Sequence, residues 1–103
     1  MQGCWFYILQ CADGSYYVGT SRLDDVETRV SQHNLGLFGG YTAKRQPVKL
    51  VYSTHFERIT DAIAYERQVK GWSRAKKEAL IRGDFDLLQE LSKRSFMSGN
   101  HKP

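Results

Sequence analysis

The chain has 103 residues, 41% hydrophobic and 25% charged, the length of one domain and the composition of an ordinary globular fold able to bury its own core. No apolar run reaches membrane-spanning length, and the opening MQGCWFYIL has neither the charged lead nor the small-residue cleavage site of a secretion signal, so a cytoplasmic protein with no membrane partner is expected. Lys and Arg number 15 against 11 Asp and Glu, a net +4; such a balance permits a nucleic-acid or phosphate partner without establishing one.

Residues 4–11 and 16–20 are rich in aromatic and β-branched types and read as two strands around an Asp-Gly turn. Cys4 and Cys11, the only cysteines, stand at odd separation on the first strand and point to opposite faces. Reduced thiols, one or both of them buried, are expected, with no disulfide and no zinc set. Asp24-Asp25 can begin a helix over 25–35, along which Val26, Val30, His33 and Leu37 recur at helical spacing. The glycines of GLFGGY end it. Pro47 opens a third strand with Val48, Leu50 and Tyr52 alternating. Thr60 can cap a second helix running to about Trp72, Ser73 a third that stops at Gly83, and FDLLQELSKR forms a short fourth. The order β-β-α-β-α-α, with that extra helix, is an α+β domain: a small, three-stranded, mainly antiparallel sheet flanked by helices. A single domain over 1–92 is expected, with 93–103 a flexible tail.

Several residues break the pattern of their own element, where functional groups tend to lie. Glu66 shares a buried-type stripe with Ala62 and Val69, and a carboxylate there is costly unless paired with a neighbouring Arg or backbone N–H, or bound to a cation. Arg29 and His33 are surface neighbours at i and i+4; the plain alternatives are a solvated arginine and a satisfied core histidine. Tyr7 and Tyr17 depend on hairpin register. A two-residue loop, Asp13-Gly14, pairs Leu9 with Val18 and puts the tyrosines on opposite faces. A three-residue loop, Ala12-Asp13-Gly14, with Gly14 left-handed in a bulge, pairs Leu9 with Tyr17 and Tyr7 with Gly19, on one face. The room Gly19 leaves beside the Tyr7 ring favours the bulged form. Basic residues gather in KGWSRAKKEALIRGD (70–84) and KRQPVK (44–49), either a phosphate-tracking surface or a solvated helix face.

Together these residues resemble the GIY-YIG nuclease family. WFY (Trp5-Phe6-Tyr7) stands in the place of the first tripeptide and YVG (Tyr17-Val18-Gly19) in that of the second. RVSQH carries the helix arginine with a polar residue one turn on, and Glu66 in AYERQVKGW matches the acidic residue of a later helix. The agreement runs over residues 4–78 and is greatest with small stand-alone bacterial members. The first tripeptide lacks its glycine and isoleucine, Thr20-Ser21-Arg22 offers no lysine after the second, and no counterpart is found for a late asparagine used by some members.

The resemblance implies metal-dependent cleavage of phosphodiesters, with DNA the expected nucleic acid. Glu66 would be the sole protein ligand of Mg²⁺ or Mn²⁺, an arrangement suited to an ion that keeps much of its water. Arg29 would grip the scissile phosphate, and Tyr17 would be the general base, a phenol of ordinary pKa near ~10 in need of positive charge nearby. Tyr7 would orient the water or hold Tyr17, and His33 would relay a proton or contact phosphate. Lys70, Arg74, Lys76 and Lys77 would contact the nucleic-acid backbone. The protein would act as a monomer or weak dimer. The competing expectation is a nucleic-acid-binding module without efficient catalysis.

Overall fold

A computed structural model describes residues 3–22 and 24–100, with side chains through Lys93. The chain divides into two compact units, Met1–Lys70 and Gly71–Pro103. The first contains an antiparallel sheet of β1 (Cys4–Gln10), β2 (Tyr16–Ser21) and β3 (Lys49–Phe56) in the order β2-β1-β3. With it come helices α1 (Val26–Asn34), α2 (Gly40–Ala43) and α3 (Ile59–Lys70). The second holds α4 (Arg74–Arg82) and α5 (Phe85–Asn100).

The β1–β2 hairpin closes as the three-residue form. Gly14 N donates to Cys11 O at 2.9 Å and Cys11 N to Ser15 O at 2.8 Å. Gly14 takes φ of 86°, a left-handed value that a side chain would disfavour. Asp13 holds the turn by accepting from Ser15 N at 3.0 Å. The register that results pairs Leu9 with Tyr17 and Tyr7 with Gly19.

This register sorts the sheet into two apolar faces. Tyr7 and Leu9 join Cys11, Val26 and Val48 in one buried cluster, with Trp5, Tyr17, Val30 and Leu50 packed against it. Alternate residues Cys4, Phe6 and Ile8 are buried on the other side. There Phe6 meets Tyr65 of α3 edge-on, ring centroids 4.8 Å apart, and Tyr52 at 6.0 Å. Both cysteines are free and buried. The expected alternation of Val48, Leu50 and Tyr52 on one face is corrected here. The β1–β3 register shifts between Ile8 and Leu9, so Leu9 pairs with Leu50 but Ile8 with Tyr52. The extra residue, Val51, sends Tyr52 to the Phe6 side.

Asp25 starts α1, its carboxylate accepting from Thr28 N at 2.7 Å. The helix ends at Asn34, so Leu37, expected on its apolar stripe, lies beyond it and is exposed. Asn34 ties this end to the start of β3, donating to Val48 O at 3.0 Å and accepting from Val48 N at 2.7 Å. The glycine-rich stretch after α1 carries the short α2, which the sequence pattern did not suggest. Helix α3 begins at Ile59, so Thr60 lies in its first turn instead of capping it.

In the second unit Ser73 caps α4 by accepting from Lys76 N at 3.2 Å, and left-handed Gly83 stops it. Asp84 accepts from Leu87 N at 3.1 Å at the start of α5. That helix continues to Asn100, past the end expected near Arg94; residues 101–103 of the expected flexible tail lie outside the described residues. Among the described residues no helix is long and apolar enough to cross a membrane.

Candidate active site

Tyr7 and Tyr17 share the sheet face that α1 and α2 cover, and their rings stand 6.4 Å apart. The glycine of the second tripeptide permits this. Gly19 lies across from Tyr7, and a Cβ built on it would fall 2.7 Å from the Tyr7 hydroxyl and 3.0 Å from the Tyr17 ring. The two phenols do not stand alike. Tyr7 is 2% exposed, whereas Tyr17 is half-buried. Burial pushes the Tyr7 phenol well above its usual range, with Tyr17 adding to the rise and Arg29 opposing it. Tyr7 is therefore a neutral phenol across the physiological range. The Tyr17 hydroxyl has no hydrogen-bond partner among the described residues.

His33 connects these rings to α2. Its Nε2 lies 2.9 Å from the Tyr7 hydroxyl and its Nδ1 2.9 Å from Oγ1 of Thr42. All three residues are buried, at 2%, 1% and 2% exposure. The imidazole meets Tyr17 edge-on at 5.0 Å and Phe38 at 4.6 Å. Burial first, and the Arg29 charge second, depress its pKa below the ordinary histidine value. His33 is thus a satisfied core histidine, and the same contacts place it between the two tyrosines.

Arg29, one turn earlier on α1, is fixed on two sides. Its Nε donates to Oγ of buried Ser21 at 3.1 Å, and its guanidinium lies 4.7 Å from the Phe38 ring centre. Ser21, directly opposite Trp5 on β1, lies on the tyrosine face of the sheet. Arg29 is partly exposed, and its Nη groups remain available beyond these two anchors.

Glu66 comes from α3, the helix whose Tyr65 packs on the opposite face, and joins the group through charge instead of contact. Its negative charge adds to the upward push on Tyr7 and on Cys4. The side chain is 18% exposed, with Oε2 held 2.7 Å from Nζ of Lys70 one turn on. The partner is a lysine; the sequence had offered a neighbouring arginine, a backbone N–H or a bound cation. Among the described residues no group of three His, Cys, Asp or Glu is placed to hold a metal.

The four basic residues expected at nucleic acid stand in different states. Lys70, half-exposed, pairs with Glu66. Arg74 donates to Glu78 at 3.0 Å, its side chain 55% exposed. Lys76 is 8% exposed, its ammonium 4.5 Å from the Trp72 ring centre, so its charge is engaged in packing. Lys77 is partly exposed.

Three contributors went unread in the sequence: Thr42, Ser21 and Phe38. Each acts through a partner distant in the chain or a loop of irregular shape. GLFGGY carried a helix-stop signal and nothing that marked Phe38 as a neighbour of His33 and Arg29.

A family model described as the GIY-YIG catalytic domain matches residues 3–79. A UPF0213 protein of Lacticaseibacillus paracasei is 44% identical over 77 residues, covering 75% of this chain and 84% of its own. One from Staphylococcus aureus strain Mu3 is 40% identical over 82 residues, 80% of this chain and 98% of its own. Among solved structures, the solution NMR structure of a UPF0213 protein from Bacillus halodurans aligns with a TM-score of 0.51 at 38% identity, covering 79% of this chain and 84% of that one. The NMR structure of a protein from E. faecalis aligns at 0.56 and 35% identity, covering 84% and 90%. With the family model spanning three-quarters of its length and these relatives covered over most of theirs, the chain belongs to the GIY-YIG family of nuclease domains, alongside the small bacterial UPF0213 proteins.

Proposed function

We propose that this protein is a divalent-metal-dependent endonuclease or nicking enzyme that hydrolyses phosphodiester bonds in DNA, acting in the cytoplasm as a monomer or weak dimer. The observation that carries the reading is the gathering of Tyr7, Tyr17, Arg29 and His33 on one face, with Arg29 immobilised by Ser21.

Each group has a part its surroundings suit. Arg29 binds the scissile phosphate through its Nη atoms. A charge already fixed by Ser21 and Phe38 needs little reorganisation as negative charge builds in the transition state. Tyr17 is the base for the attacking water, its own hydroxyl proton passing to solvent as the water's proton is taken. Tyr7, kept neutral by burial and bonded to His33, orients that water and does not itself ionise. His33, uncharged and with both ring nitrogens engaged, takes or passes a proton only through the Tyr7 hydroxyl.

Glu66 fits an ion that takes hard oxygen donors and keeps most of its water: one carboxylate oxygen is held by Lys70 and the other is left to ligate. When bound, Mg²⁺ or Mn²⁺ supplies stabilisation of charge on the leaving oxygen. Lys70, Arg74 and Lys77 contact the DNA backbone, with Lys76 contributing long-range charge.

The test is purified protein with Mg²⁺ or Mn²⁺ against supercoiled plasmid, branched DNA and single-stranded DNA. Nicked or cleaved product supports the reading. The Glu66–Lys70 ion pair favours one second reading, a nucleic-acid-binding module whose carboxylate is already neutralised. Salt-sensitive binding with no cleavage on any substrate would establish that reading in place of the first.

A further inference from the structure

Thr42 belongs to none of the family's signature positions in this chain, yet its hydroxyl completes a buried string. The Tyr7 hydroxyl, Nε2 and Nδ1 of His33 and the Thr42 hydroxyl are joined by two contacts of 2.9 Å. A neutral imidazole carries one N–H and one lone pair, so the string must run in one direction or the other. Both hydroxyls can donate or accept. They differ in chemistry: a phenol is the stronger acid, and its oxygen lone pair is drawn into the ring. Tyr7 is therefore the better donor and Thr42 the better acceptor. The stable direction has Tyr7 donating to Nε2 and Nδ1–H donating to Thr42.

We propose that Thr42 is a positioning residue that holds His33 in the Nδ1–H tautomer and thereby fixes the polarity of the Tyr7–His33 hydrogen bond. Free imidazole side chains favour the other tautomer in water, so the acceptor at Nδ1 decides the matter, as partners of metal-bound histidines do. With its proton committed to His33, the Tyr7 oxygen presents lone pairs to the space shared with Tyr17 and Gly19. It then accepts a hydrogen bond from a water there, orienting that water without ionising. In the reverse polarity it would donate and would turn towards a phosphate oxygen instead. The group that makes this choice sits on the four-residue helix Gly40–Ala43, away from Tyr17 and Arg29 in sequence and on a different element.

The tautomer assignment stands without any activity; its effect on rate rests on the nuclease reading above. The test is ¹⁵N NMR of the histidine ring nitrogens near pH 8 in the full chain and in its Thr42→Ser and Thr42→Val variants. The expected result for the unsubstituted protein is a protonated Nδ1 and an unprotonated Nε2 at His33. Thr42→Ser keeps that pattern, and Thr42→Val shifts population to Nε2–H. A protonated Nε2 in the unsubstituted protein overturns the proposal, and that measurement needs no variant to fold. A Thr42→Val spectrum unchanged from the original also overturns it. Under the same assay conditions Thr42→Val should lower kcat by about tenfold, leaving KM nearly unchanged, and Thr42→Ser should restore the rate. The expected ring shifts with no cleavage by any form would uphold Thr42 and remove the nuclease reading. Cleavage by all forms at one rate would keep the nuclease and remove the catalytic effect of the tautomer.

Discussion

Gly19 stands directly across the β1–β2 ladder from Tyr7, so close that a methyl group on it would lie 2.7 Å from the tyrosine hydroxyl. Neither neighbour can easily yield. Tyr7 is buried and bonded to His33, and the Tyr17 ring lies 3.0 Å from the same point. The backbone of Gly19 has no left-handed φ, so space alone demands the glycine.

Gly19→Ala is therefore expected to destabilise the fold by about 1–3 kcal/mol, the usual cost of overpacking. It should also displace the Tyr7–His33 hydrogen bond. Urea unfolding measures the first effect, and the ring nitrogen shifts of His33 report the second. A variant as stable as the original, with His33 unmoved, would mean the strand gives way more readily than this packing implies.

The burial of His33 predicts an acid-side loss of stability. Its folded pKa lies below the ordinary value of 6.5, so the unfolded chain binds a proton that the folded chain refuses. This contribution is complete above the unfolded value and is lost progressively as pH falls from there towards the depressed folded pKa. Tyr7 acts in the opposite sense at high pH. Its phenol is raised above the ordinary value of 10.0, so stability falls as pH climbs past that value. Urea midpoints from pH 8 to pH 5 should decline, and the decline should flatten in His33→Gln.

On the proposed mechanism the fixed charge of Arg29 serves the transition state, so Arg29 should matter to rate far more than to affinity. Arg29→Ala is expected to reduce kcat by on the order of 10²–10³, the scale for loss of a preorganised electrostatic donor. Arg29→Lys should not rescue it, since lysine lacks the Nε–H that meets Ser21 and the planar fork that rests on Phe38. Ser21→Ala should reduce kcat by about tenfold through loss of that anchor. Equal losses in DNA affinity and in rate would reduce Arg29 to a simple phosphate contact.

On the proposed reading, Lys70 would compete with the metal for the Glu66 carboxylate. The i,i+4 pair joins a half-exposed lysine to a carboxylate that is 18% exposed, so Lys70→Ala should change stability by about 0.5–1 kcal/mol. Freed of the ammonium, Glu66 should bind Mn²⁺ more tightly, as seen in stronger paramagnetic broadening of nearby resonances. DNA affinity should fall at the same time if Lys70 also meets the backbone. Unchanged Mn²⁺ broadening would mean that Lys70 does not compete for the carboxylate.

Much of the frame was legible in the sequence because its signals are local. Asp25, Ser73 and Gly83 mark helix ends by their own chemistry, and each does so here. The hairpin register followed from one question, which turn leaves room for Tyr7, and Gly19 answered it. What escaped depends on contacts across the fold. The bulge at Val51 leaves no mark in the alternation that precedes it, so Tyr52 was assigned to the wrong face. Helix α2 is too short to show periodicity, and without it Thr42 had no visible tie to His33. Glu66 was found as a charge on an apolar stripe, but its pairing with Lys70 is a rotamer choice that spacing allows without requiring.

The most direct test is Mg²⁺-dependent nicking of supercoiled plasmid by the full chain beside Glu66→Gln, a variant of nearly the same shape without the charge. The unsubstituted protein should convert supercoiled to open-circular DNA, and Glu66→Gln should leave it supercoiled while still folding and binding DNA. Equal nicking by both would contradict the account.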